Sequence, residues 1–87
     1  MSTAASMRER LAALAPESLE IADESAKHAG HQGAKGGGGH YALTIVSPRF
    51  DGQTTVARHR MIYAALGDLM QRDIHALSIR AYSPGEL

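Results

Sequence analysis

The chain has no cysteine, no tryptophan and a single phenylalanine among its 87 residues, and neither charge sign is in excess. Without cysteine there is no disulfide framework, and no thiolate-ligated cluster can be held by this chain alone. Nine Lys and Arg offset nine Asp and Glu, so attraction to nucleic acid or an anionic membrane is not built into the whole molecule and would need a local patch. The N-terminal MSTAASMRERLAALAP lacks an apolar run of signal-peptide length, and no later stretch approaches bilayer-spanning length. From these absences a soluble, cytoplasmic protein is expected. What is present is a 44% hydrophobic fraction, which suits one globular core built on Leu, Ile, Val, Ala and Met, and 87 residues leave room for one domain.

Met7, Leu11 and Leu14 recur at helical spacing, with Ser2 or Thr3 as N-cap and Pro16 closing the segment, which predicts a short amphipathic helix. Leu19 and Ile21 alternate with polar or small residues, predicting a strand over Leu19–Asp23. From about residue 25 to 39 the composition changes to SAKHAGHQGAKGGGG, whose consecutive glycines are costly to order and offer nothing to pack, so a mobile loop is expected. Tyr41–Val46 reads as a second strand pairing antiparallel with the first. After a turn at Phe50-Asp51-Gly52, Thr54 or Thr55 can cap a long helix with Ile62, Ala65, Leu66, Leu69 and Met70 on its apolar face, and a shorter helical turn can precede it. Leu77, Ile79 and Ala81 form a last strand, ended by Ser83-Pro84-Gly85.

Five histidines in so short a chain need explaining. His28 and His31 form an HxxH in the glycine-rich loop, which is either an incidental pair or part of a metal site completed by other ligands. His40, at the entry to the second strand, is a ligand candidate or a structural edge residue. His59 lies on or beside the apolar stripe of the long helix, as a satisfied partly buried histidine or as a ligand. Arg58 and Arg60 flank it, are expected to point away from that stripe, and give a local positive edge. His75, before the last strand, is assigned to packing and hydrogen bonding.

No Lys-Ser or Lys-Thr follows Gly36–Gly39, so a phosphate-binding P-loop is absent. GxxG spacings at Gly30/Gly33 and Gly36/Gly39 match KH domains only weakly, because the loop joins strands rather than helices. There is no Ser-His-Asp or Cys-His constellation and no convincing carboxylate pair, so no catalytic role is expected.

Several segments, taken in order, resemble the BolA-like family: Asp23-Glu24-Ser25 with His28-Ala29-Gly30-His31, the His40-Tyr41 strand entry, Ile45-Val46-Ser47 with Arg49-Phe50 and Gly52, Val56 to Tyr63 (VARHRMIY), and Ile74-His75-Ala76-Leu77. The resemblance covers nearly the whole chain as one BolA-like domain, residues 1–87. It implies an α+β fold of αββααβ order, a three-stranded mixed sheet with helices packed on one face, similar to class II KH domains, with a short helix added after Gly52.

The resemblance also implies a non-enzymatic role in iron–sulfur cluster assembly, paired with a monothiol CGFS-type glutaredoxin across a bridging [2Fe-2S] cluster. His59 would be one ligand and a loop histidine, His28 or His40, another; histidines in place of cysteine mark a histidine-loop subtype. Glutaredoxin and glutathione would supply the thiolates, and the isolated chain, a monomer or weak homodimer, would carry no cluster. A different class of reading is a DNA-binding transcriptional regulator, its weak contacts carried by Lys27, Lys35, Arg49, Arg58 and Arg60.

Overall fold

The computed structural model describes residues 2–25 and 39–87. Ser2 accepts a hydrogen bond from the Ala5 amide at 3.1 Å, capping helix α1 (Thr3–Leu11). A 3₁₀ turn over Ala12–Leu14 follows, and Ala15 adopts a left-handed φ of 49°. That turn and Pro16 end the helix, because the residue before a proline is driven out of the right-handed helical region. Met7, Leu11 and Leu14, spaced four and three apart, are buried together as the spacing predicts.

Strands β1 (Ser18–Asp23) and β2 (Gly39–Val46) pair antiparallel, from Ser18 opposite Val46 to Asp23 opposite Tyr41. A 3₁₀ turn at Pro48–Phe50 leads to helix α2 (Thr55–Leu66), capped by the Thr54 hydroxyl, which accepts from the Ala57 amide at 3.1 Å. Gly67, at φ +57°, ends α2 before the apolar run is complete. Leu69 and Met70 therefore fall on a separate short helix, α3 (Leu69–Arg72), rather than on the long one. The element order is the expected αββααβ, with one difference. The extra short helix lies after Gly67, and no separate short helix stands between Gly52 and α2.

Strand β3 (Ile74–Tyr82) runs parallel to β2, so β2 is the centre of a three-stranded mixed sheet of order β1-β2-β3. A parallel neighbour requires a crossover, and α2 and α3 provide it. They and α1 cover one face: Tyr41, Leu43 and Ile45 of β2 meet Met7, Leu11, Ile62, Leu66 and Leu69 around Phe50. Burying a side chain such as Leu66 is worth about 2 kcal/mol of transfer free energy. The other face carries His40, Ala42 and Thr44 of β2 with Ser78 and Arg80 of β3, and no helix covers it among the described residues. None of the described helices is long and apolar enough to cross a membrane.

Candidate functional site

The pairing of β2 with β3 shifts register at one point, and it falls on histidines. Gly39 pairs with Ile74, but the next residue, His40, pairs with Ala76. His75 is therefore an extra residue in β3, a β-bulge that breaks the alternation of sides. In a regular strand two successive residues face opposite ways; here Ile74 is buried while both His75 and Ala76 are exposed. The bulge brings the His75 ring to the His40 ring, with centroids 5.1 Å apart and planes tilted by 47°.

His40 is held from the β1 side. Its amide donates to the Ser25 hydroxyl at 3.1 Å, and its carbonyl accepts from the Glu24 amide at 2.7 Å. Ser25 is tied in turn to Asp23, whose carboxylate accepts from the Ser25 amide at 2.9 Å. The Ser25 hydroxyl and then its amide hold the Asp23 carboxyl below the usual carboxylate range. Beside the pair lies an open cavity of about 310 Å³ lined by Glu24, His40, Tyr41, Ala76, Leu77 and Ser78. A second, of about 320 Å³, shares Glu24 and Ser78 and reaches Arg80.

Chemically, two adjacent imidazoles are borderline-soft nitrogen donors suited to zinc, copper or iron. Among the described residues no three His, Asp or Glu side chains gather as a metal-holding group. The pair can therefore supply two ligands of a shared site, with the remaining ligands coming from elsewhere.

The match to known proteins is broad. The family described as BolA-like protein covers residues 11–86. The chain belongs to the BolA-like family. It is 44% identical over 79 residues to SufE-like protein 1, chloroplastic/mitochondrial, of Arabidopsis thaliana, covering 85% of this chain but 21% of that protein. It is 37% identical over 82 residues to the DNA-binding transcriptional regulator BolA of Escherichia coli strain K12, covering 88% of this chain and 75% of that one. The solved BolA domain of SufE1 from Arabidopsis thaliana superposes with a TM-score of 0.85 at 42% identity, over 100% of this chain and 98% of that domain. This BolA-like chain thus spans only a fifth of the plant protein it resembles, and nearly all of that protein's BolA domain.

Of the residues singled out in the sequence, His40 is in the pair. His28, His31, Lys27 and Lys35 lie outside the described residues. His59 is half-buried on α2 beside Arg58, and that part of α2 lies against the far end of β3, since the Arg58 guanidinium donates to the Ala81 carbonyl at 3.1 Å. Ala81 is six residues along β3 from His75, about 20 Å at the rise of an extended strand. The fold thus separates His59 from His40 and sets His75 beside His40 instead. His75 is exposed, with its ring tilted against another imidazole, so its assignment to packing is corrected by the bulge that turns it outward.

Arg58 is a second correction. It does not point away from the apolar stripe as a positive edge but is buried on it, four residues before Ile62 and eight before Leu66. Its Nε donates to the Gln53 carbonyl at 2.9 Å, its Nη1 donates to the Ala81 carbonyl and, at 2.6 Å, to Glu86, and its guanidinium lies 6.0 Å from the Phe50 ring centroid. Of the expected basic patch, Arg49 and Arg60 remain exposed.

Proposed function

We propose that this BolA-like chain is a non-enzymatic factor in iron–sulfur cluster assembly or trafficking, and that it lends His40 and His75 to a [2Fe-2S] cluster bridged to a monothiol CGFS-type glutaredoxin. The observation that carries this reading is the pairing of the two rings at 5.1 Å across the bulge. A chain without cysteine offers imidazoles but no thiolate, so the sulfur ligands come from the glutaredoxin cysteine and bound glutathione. Two imidazoles and two thiolates form a Rieske-like set, whose reduction potential lies above that of all-thiolate ligation. His28, in the segment between β1 and β2, is the alternative donor to His40 in a histidine-loop subtype. The absence of thiols fits a reducing compartment such as the cytoplasm, although the plant relative is described as chloroplastic/mitochondrial.

Co-expression with a monothiol glutaredoxin tests the proposal. The expected result is a coloured complex with the absorption of a [2Fe-2S] cluster, while this chain purified alone is colourless. A colourless complex, or a cluster carried by the chain alone, would contradict it.

A DNA-binding role is the second reading, favoured by the name of the Escherichia coli relative. With zero formal net charge and Arg58 committed internally, Arg49, Arg60, Lys27 and Lys35 are left to contact phosphates. Duplex binding is therefore expected to be weak and to fall steeply with added salt. Fluorescence anisotropy showing tight, sequence-selective binding at physiological salt would reverse the order of the two readings.

A further inference from the structure

His40 would not meet His75 without a local arrangement that involves neither ring. Two irregularities coincide at this point: the bulge in β3, and the end of the β1 ladder at Asp23 opposite Tyr41. Past that last pair, the Glu24 amide and the Ser25 hydroxyl still engage the His40 backbone through the two hydrogen bonds described above. On the opposite side, the Gly39 amide donates to the Asp73 carbonyl at 2.9 Å, which fixes the start of β2 against the residue preceding β3. Gly39 has no room for a side chain. A Cβ there would lie 2.6 Å from the Tyr41 ring edge, 2.8 Å from its hydroxyl and 2.7 Å from the Ser25 hydroxyl. The Tyr41 ring is buried and cannot move aside without disturbing the core, and the Ser25 hydroxyl cannot yield without releasing the His40 amide.

We propose that Ser25 and Gly39 are positioning residues that hold the His40 imidazole against that of His75, so that the two rings form a pre-organised bidentate donor before any partner or metal arrives. This rests on the reading of His40 and His75 as ligands. The physical reason is the cost of ordering. A donor pair fixed in advance loses less side-chain and backbone freedom on binding than one that must be assembled, and the groups that orient ligating histidines typically change metal affinity by about 10–100-fold when removed. Gly39 is required for what it lacks, and Ser25 for a single hydroxyl oxygen that accepts from the His40 amide.

The test uses NMR on the full chain with zinc ion alone as the probe. In the unsubstituted protein, ring protons of His40 and His75 are expected to show a mutual NOE, and zinc is expected to shift both sets of ring signals together. Ser25→Ala and Gly39→Ala should lose the NOE and bind zinc at these rings about 10–100-fold more weakly, while Ser25→Thr, which keeps a hydroxyl, retains both. Circular dichroism and thermal unfolding check that the variants remain folded. If Gly39→Ala fails to fold, the Ser25→Ala and Ser25→Thr comparison decides alone. Retention of the NOE and of wild-type zinc affinity in Ser25→Ala overturns the proposal. Loss of the NOE in a set where zinc never perturbs the two rings supports the positioning role and contradicts the ligand reading, so the two failures are distinguishable.

Discussion

A buried arginine needs partners for the donors it brings out of water, and Arg58 finds two backbone carbonyls and a carboxylate through its Nε and Nη1, with its guanidinium over the Phe50 ring. The same Glu86 oxygen accepts from the Ser83 amide at 2.6 Å and from its hydroxyl at 3.1 Å, so one carboxylate joins the start of α2 to the turn after β3. The Arg58 guanidinium first, and the Ser83 amide second, draw the Glu86 carboxyl from its ordinary value of 4.5 down to about 2. A carboxyl whose pKa is depressed by folding contributes stability that is complete above its unfolded pKa and is lost as the pH falls toward the folded one. Chemical denaturation between pH 6 and pH 2 should therefore show the unsubstituted protein losing stability below about pH 4.5 more steeply than Glu86→Gln. Parallel curves for the two proteins would show that the pair is not coupled to folding. The sequence carried a signal for the position of Arg58, since four residues before Ile62 is the same helical face, but the expectation that it points away from that face was wrong. The usual exposure of arginine argued the other way, and its partner at Glu86 lies 28 residues away, beyond any local pattern.

At the scale of elements, the strands were legible because alternation is a local signal. Tyr41, Leu43 and Ile45 face the core as their spacing predicts. The split of the long helix was less so: Leu69 and Met70 continue the apolar pattern, and only Gly67 interrupts it. That glycine has φ +57° and ψ −131°, a conformation accessible in practice only to glycine, and its amide donates to the Tyr63 carbonyl at 2.9 Å. Gly67→Ala should cost about 1–3 kcal/mol, read as a lower urea midpoint with an unchanged slope. A midpoint equal to that of the unsubstituted protein would show that the chain turns there without strain. The bulge at His75 was not legible. It is a property of the register between β2 and β3, and register is set by long-range packing rather than by any run of residues. This is why Ile74-His75-Ala76-Leu77 reads as the entry to a core strand, while in the fold His75 lies on the uncovered face.

For the whole molecule, the architecture divides the sheet into a face that stabilises and a face that no helix covers among the described residues. Three helices and Phe50 cover the first, and the second carries the His40–His75 pair, with His40, Glu24 and Arg80 among the residues lining two adjoining cavities. The crossover through α2 and α3 places the start of α2, with Arg58 and His59, toward the end of β3, and the bulge at its beginning. His59 and the imidazole pair therefore lie at opposite ends of the fold, a separation that the linear order of the histidines did not convey. On the proposed reading, the bulge pair, and not the helix histidine, is what this chain lends to a shared cluster. The most direct test is EPR of the reduced glutaredoxin complex, comparing His75→Ala, His40→Ala and His59→Ala with the unsubstituted chain. If the bulge pair holds the cluster, His75→Ala abolishes the Rieske-like signal, His40→Ala abolishes or weakens it, and His59→Ala leaves it unchanged. A signal lost in His59→Ala and retained in His75→Ala would contradict it.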